Sequence, residues 1–315
     1  MTHIFALQLA LPLFFIAWIA LAPQHSWLGF FCQTVGSAFA LLALALTGLW
    51  LFPTWWTPYV FAGLLAAVGV AGWRCRYPFK SRFPSGWVAW IFTTVFIAVG
   101  GWGVDQSLRA LAGRAQHTGT AVGLAFPIRS GSYLVVNGGS NIKVNGHLMT
   151  LDASKTRFQA YRGQSYGVDI VKLDEWGLRA NGLLPPEPDK YNIYGVPVYA
   201  PCAGEVIDVQ NDLPDMQVPQ TDRQHMAGNH ALLRCNDADV LLGHFKPGSL
   251  KVRMGDTVAV DQAVGAVGKS GNTSEPHLHI HAQQRGTTTE PLSGNPLPIR
   301  LNGRFLVRND RIELP

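Results

Sequence analysis

The chain has 315 residues and a formal net charge of +5, room for about two domains at a soft allowance of roughly 150 residues each. Residues 1–73 contain no Asp, Glu, Lys or Arg. Arg74, Arg76, Lys80 and Arg82 place four of the 25 basic residues in one short loop, and all 20 acidic residues lie at or beyond Asp105. The first third therefore cannot be the surface of a soluble domain, and the near-neutral remainder excludes a basic nucleic-acid-binding domain.

The predicted elements open with four apolar stretches, at about 4–22, 28–52, 57–72 and 87–104. Each approaches the ~20 residues that a helix needs to cross a bilayer. The first is not read as a signal peptide, because it lacks a positive n-region and a second apolar segment follows at once. Trp50, Trp55, Trp56, Trp73 and Trp87 lie near the expected helix ends, as interfacial anchors do. The loop RCRYPFKSR (74–82) carries four cations and no acid, so it is expected in the cytoplasm, and the fourth helix then delivers Asp105 onward to the extracytoplasmic side. The apolar stretches hold no charged residue of the kind that marks a transport pathway.

Residues 105–126 read as a juxtamembrane linker. From about Pro127 to the end, short β-rich runs alternate with turn residues: YLVVNGG, GVPVYAP, GEVIDVQ, HALLRC, DVLLGHF, DTVAV, AVGAVG, HLHIHAQ and RFLVRN. This spacing predicts a mainly antiparallel β domain. Cys202 and Cys235 sit on strand-like segments that could pair, and outside the cytoplasm a bridge between them is permissible; two separate buried thiols are the other reading. Cys32 and Cys75, in or beside the membrane segments, read as small apolar residues. The segments 173–192 and 211–226 read as polar loops that could wall a cleft.

The densest chemical signal is GNTSEPHLHIHAQ. Alternate side chains on a strand share a face, so His277, His279 and His281 would point the same way and could bind a metal while a neighbour handles protons. VGKSG is a decoy for a phosphate-binding loop, since Ala263 stands where that loop needs glycine and a strand follows where a helix should. No nucleotide is expected.

GAVGKSGNTSEPHLHIHAQ resembles the C-terminal signature of the lysostaphin-like (LytM-type) zinc metallopeptidases, which act as peptidoglycan endopeptidases. SYGVDIV, GVPVYAPCAGEVI and GNHALLRCNDADVLLGHFKPGSLKVRMGDTV resemble three further segments in the family's order. The resemblance runs from about residue 164 to 283. It implies the mainly antiparallel, duplicated-hybrid-motif β fold, Zn2+ as cofactor, Asp169 and His279 as zinc ligands, and His244 and His277 as catalytic histidines. The family pattern His-x-Gly-x-Asp is broken at Ser165, a poor zinc ligand. A subgroup with Asn-x-His followed by Gln-x-Tyr-x-x-Asp is matched by Asn145-Gly-His147 and Gln164-Ser-Tyr166-Gly-Val-Asp169, which makes His147 the candidate third ligand. His230 reads as structural or cleft-lining and His225 as solvated; His3, His25 and His117 need no functional explanation.

The expectation is thus an inner-membrane protein held in the lipid bilayer by a four-helix transmembrane anchor (1–104), with a linker (105–126) and an extracytoplasmic zinc peptidase domain (127–315). Its substrate would be a peptidoglycan peptide, cut by a metal-activated water. The competing reading is a domain that has lost its metal and binds cell wall or regulates another wall hydrolase.

Overall fold

The computed structural model describes residues 2–115, 120–285 and 292–315, so His117 and the rest of 116–119 in the expected linker lie outside the described residues. The chain divides into two units, Met1–Ala112 and Gly113–Pro315.

The first unit contains four helices: α1 (Thr2–Leu21), α2 (Trp27–Thr47), α3 (Thr57–Arg76) and α4 (Trp87–Ala112). By length and composition α2, α3 and α4 could cross a membrane; α1 contributes a shorter apolar stretch, Phe5–Leu21. Large apolar side chains such as Leu13, Phe14, Ile91, Ile97 and Trp102 face outward. The helix ends are tied by polar groups. Ser26 caps α2 by accepting from the Gly29 N–H, and the Gln8 amide bonds both Leu49 and Phe52 of the α2–α3 loop. Arg76 donates to the carbonyls of Ala20 and Ala22, a cation at a helix C-terminus, where the macrodipole favours it. Backbone bonds from Trp27 and Leu28 to Ser81 and Arg82 hold the first turn of α2 against the basic loop. Residues 105–112, expected as linker, continue α4.

The second unit is built on β strands: β1 (Val122–Leu124), β2 (Gly131–Asn137), β3 (Val168–Leu173), β4 (Pro197–Tyr199), β5 (Gly204–Gln210), β6 (Asn229–Cys235), β7 (Ala238–Phe245), β8 (Thr257–Val258), β9 (Ala263–Ala266), β10 (Leu278–Gln284), β11 (Pro296–Leu297), β12 (Ile299–Leu301) and β13 (Arg311–Leu314). The main sheet runs β13-β2-β3-β10-β7-β6-β5-β8, all antiparallel, with β11 added beside β10. Two small pairs, parallel β1–β12 and antiparallel β4–β9, accompany it. The RFLVRN segment is not a strand; the last strand follows it at β13. Leu306 and Val307 are buried, but Asn309 adopts φ 67°, and Arg308 turns inward to bond the Val136 carbonyl, which breaks strand alternation.

Alternation along the central strands separates two environments. Val168 and Ile170 of β3, Leu278 and Ile280 of β10, and Val240 and Leu242 of β7 belong to the main core. The intervening residues Asp169, His279, His281 and Leu241 project to the other face. Both faces are covered, and every residue of β7 is buried, which is why DVLLGHF reads as a continuous apolar run rather than an alternating one. A disulfide joins Cys202, in the turn before β5, to Cys235 at the end of β6, with Cα atoms 5.9 Å apart.

Close approach of α2 and α4 depends on missing side chains. A Cβ on Gly36 would lie 2.2 Å from the Phe96 carbonyl oxygen, and one on Gly103 would lie 2.6 Å from the Phe39 backbone, whereas Gly101 faces open space. Gly36→Val is expected to destabilise the helical unit by about 1–3 kcal/mol through overpacking, while Gly101→Val leaves it unchanged. Thermal unfolding of the detergent-solubilised chain checks this; equal melting temperatures would contradict the packing.

Candidate metal centre

Asp169 sits in β3 directly opposite His279 of β10. Because the two strands are paired, these side chains emerge on the same face, with His279 Nδ1 2.8 Å from Asp169 Oδ1. Gly167, just before β3, allows this. A Cβ there would lie 2.7 Å from His279 Cε1, so the imidazole packs against bare backbone. His147 reaches the same carboxylate from a 3-10 turn, Gly146–Leu151, with Nε2 2.9 Å from Asp169 Oδ2. Asn145 begins that turn: its Oδ1 accepts from the His147 N–H, and its buried amide group donates to the carbonyls of Gly139 and Gly167. His147, Asp169 and His279 form a group whose ligand atoms all lie within 4.8 Å of one another.

Ser165 does not join that group. Its buried hydroxyl lies 2.6 Å from the Arg162 carbonyl and 2.8 Å from Thr150 Oγ1, which in turn lies 2.7 Å from the His147 carbonyl. The serine thus braces the turn that carries His147.

Two more histidines stand at the cluster. His244 lies at the end of β7 with φ 64°, a left-handed conformation that costs a non-glycine residue on the order of 1 kcal/mol or more. It is held there by bonds from its N–H to the Ala227 carbonyl and from Gly268 N–H to its own carbonyl. Its Nδ1 lies 2.8 Å from the Ser270 carbonyl, which assigns the proton to Nδ1 and leaves the Nε2 lone pair available. His277 Nδ1 lies 3.0 Å from the Glu275 carbonyl, and its Nε2 lies 3.4 Å from Asp169 Oδ1. The His244 and His277 rings are 4.7 Å apart, centroid to centroid. The loop carrying His277 is anchored by a buried pair: Arg179 Nε lies 2.9 and 3.0 Å from the Glu275 carboxylate oxygens.

Electrostatics follow from burial and this one carboxylate. Burial alone would raise the Asp169 pKa, but the flanking imidazoles of His147 and His277 outweigh it and hold the carboxyl well below its ordinary range. Burial keeps His244 neutral, its pKa pushed well below that of a free histidine, with His277 and His279 adding to the effect. Burial likewise lowers His279 and His281. For His277 burial is outweighed by Asp169, and the pKa rises. An ionised carboxylate at Asp169 and a neutral imidazole at His279 are the ionisation states from which a metal is bound, with the proton shared between them released on binding. Two imidazole nitrogens and one carboxylate oxygen are the donors of a three-ligand zinc site that keeps one position open.

Of the other histidines, His281 backs His279, with Nδ1 2.9 Å from His279 Nε2. A hydrogen-bonded second nitrogen fixes the tautomer and ring orientation of a ligating histidine. His230 is spent between the Gly228 carbonyl and Asp208, and His225 lies on the surface against Asp222. His3 and His25 are exposed in the helical unit. A narrow cleft beside the cluster is lined by Tyr161, Gln164, Met226, His244, His279 and His281. The contribution of Ser270 had no motif of its own, because it works through its backbone carbonyl on His244, 26 residues away. Asn145, by contrast, lies in the Asn-x-His spacing.

Residues 190–291 match the family model described as peptidase family M23. The match contains His244, His277 and His279 and leaves out His147 and Asp169. Among solved structures, the catalytic domain of lysostaphin from Staphylococcus simulans is 22% identical, with 40% of this chain and 71% of that chain covered and a TM-score of 0.26. A zinc-containing peptidase from Vibrio cholerae is 20% identical, covering 41% of this chain and 40% of that one at a TM-score of 0.24. A chain of the SpoIIQ–SpoIIIAH pore-forming complex is 15% identical, covering 56% and 94% at a TM-score of 0.31. Residues 190–291 of the second unit thus resemble peptidase family M23, and the donor set His147, Asp169 and His279 fits the zinc on which M23 peptidases depend.

Proposed function

We propose that the chain is a membrane-anchored zinc metallo-endopeptidase that hydrolyses peptide cross-links of peptidoglycan. The observation that carries this reading is the convergence of His147, Asp169 and His279 on one point beside the His244–His277 pair. His147, Asp169 and His279 would hold the zinc, with Ser165 relieved of the ligand role by His147. Zinc in such a site polarises the scissile carbonyl and makes water a nucleophile near neutral pH.

The remaining chemistry belongs to the chain's own side chains. His244, whose Nδ1–H is committed to the Ser270 carbonyl, offers Nε2 as the proton acceptor for the attacking water. His277 is oriented in the same way by the Glu275 carbonyl and directs its Nε2 toward the cluster, where it can donate to the developing oxyanion and then to the leaving amine. Positioned general acid–base groups of this kind contribute about 10²–10⁴-fold each. On full-length protein with cross-linked wall peptides as substrate, His244→Ala and His277→Ala are each expected to lower kcat/KM by about 10²–10⁴-fold with zinc content unchanged. Mass spectrometry of the products identifies the bond. A zinc-loaded wild-type protein that cuts no wall peptide would favour the wall-binding or regulatory alternative.

The four helices are read as a multi-pass anchor in the bacterial cytoplasmic membrane. The basic loop 74–82 faces the cytoplasm, and α4 leads to an extracytoplasmic peptidase domain. The Cys202–Cys235 disulfide supports an oxidising compartment for the second unit. Cys75, free and exposed at the end of α3, provides the test in a Cys32→Ala background. A membrane-impermeant maleimide applied to spheroplasts should label Cys75 only after permeabilisation; labelling of intact spheroplasts would reverse the topology.

A further inference from the structure

Asn137 ends β2 beside a bulge. Val135 pairs with Ile170, but the next partner of β3 is Asn137, opposite Asp169. The irregularity brings the Asn137 side chain to the carboxylate, where Nδ2 donates to Asp169 Oδ2 at 2.8 Å. Its Oδ1 accepts two bonds, from the Gly146 N–H at 3.2 Å and from Arg308 Nη2 at 2.8 Å. Arg308 is itself placed by donating to the carbonyls of Val136 at 2.9 Å and Lys143 at 3.2 Å.

These contacts leave the amide one orientation. A carboxamide donates only through nitrogen and accepts only through oxygen. Turned over, its oxygen would face the ionised Asp169 carboxylate, and its NH2 group would face the Arg308 guanidinium and the Gly146 N–H. Both new pairings are repulsive, so Arg308 and Gly146 together hold Nδ2 on Asp169. The same amide touches the backbone one residue before His147, at the first position of the turn that carries it. A single side chain therefore sets both the carboxylate of Asp169 and the start of the His147 turn, two of the three candidate ligands, from two separate elements.

We infer that Asn137, locked by Arg308, is a positioning residue for the divalent-cation site, fixing Asp169 and His147 relative to each other before the metal arrives. This inference rests on the zinc reading of His147, Asp169 and His279. Asn137, Gly146 and Arg308 all lie outside residues 190–291, the stretch matched to the peptidase family, so the device belongs to the part of the chain that supplies His147. It also accounts for the irregular path of residues 304–310, where an inward Arg308 takes the place of a regular strand.

The test is zinc affinity of the full chain in detergent, measured by competition with a chromophoric chelator, together with the visible absorption of the cobalt-substituted protein. Loss of such supporting groups typically costs about 10–100-fold in metal affinity. Asn137→Asp, which sets a second carboxylate against Asp169, and Arg308→Gln should each weaken zinc binding by about that factor and alter the cobalt bands. Arg308→Lys, retaining a donor, should recover part of the loss, and Ser132→Ala on the same strand should change neither readout. If Asn137→Asp fails to fold, the Arg308 pair carries the comparison. Wild-type protein that binds no zinc would overturn the metal reading itself. Wild-type binding with unchanged affinity and unchanged cobalt bands in the Asn137 and Arg308 variants would overturn the positioning role alone.

Discussion

The structure of the second unit depends on keeping one carboxylate ionised inside a β-sheet. Asp169 is 4% exposed, and removing an ionised carboxylate from water costs several kcal/mol unless other groups replace the lost hydration. Here the replacement comes from four directions: His279 on the neighbouring strand, His147 on a turn, Asn137 at the end of β2, and His277 on the approach to β10. Each partner needs its own support, which recruits Asn145, Arg308, His281 and the Arg179–Glu275 pair. The cluster is thus a network in which few members can be moved without exposing an unpaired polar group. A bound cation of charge two would take the place of the imidazole N–H donors at the same carboxylate, once the ligating nitrogens give up those protons.

The exchange of Ser165 for a histidine is the point at which this chain parts from the pattern its motifs suggest. A serine so close in sequence to Asp169 invites the conclusion that the site has lost a ligand. In three dimensions the serine is buried in a hydroxyl pair with Thr150, itself bonded to the carbonyl of His147. The position that would hold a ligand in the common pattern instead steadies the turn that presents His147.

Much of this was legible from local pattern. The alternation in HLHIHAQ put His277, His279 and His281 on one face, and the family resemblance carried by Asn-x-His and Gln-x-Tyr-x-x-Asp named His147 and Asp169 together. The uncharged first third declared its helices, although the fourth runs on through residues 105–112, past the apolar stretch and into the expected linker. Periodicity failed where side chains work against it. RFLVRN has the alternation of a strand, yet Arg308 turns inward to reach a carbonyl and an amide, and the chain leaves the sheet until β13. The roles of Asn137 and Ser270 were illegible for a related reason. Their information lies in which atom of an amide or carbonyl points where, and in partners tens of residues away, neither of which leaves a mark on composition or spacing.

In the proposed zinc site His147, rather than Ser165, joins Asp169 and His279. The most direct measurement is the zinc content of the purified full chain under metal-replete conditions, for wild type, His147→Ala and Ser165→Ala. The account predicts about one zinc per chain in wild type, as a three-ligand site of this kind would hold, a sharp fall in His147→Ala, and near-normal loading in Ser165→Ala. Wild-type protein without zinc, or undiminished loading in His147→Ala, would contradict it.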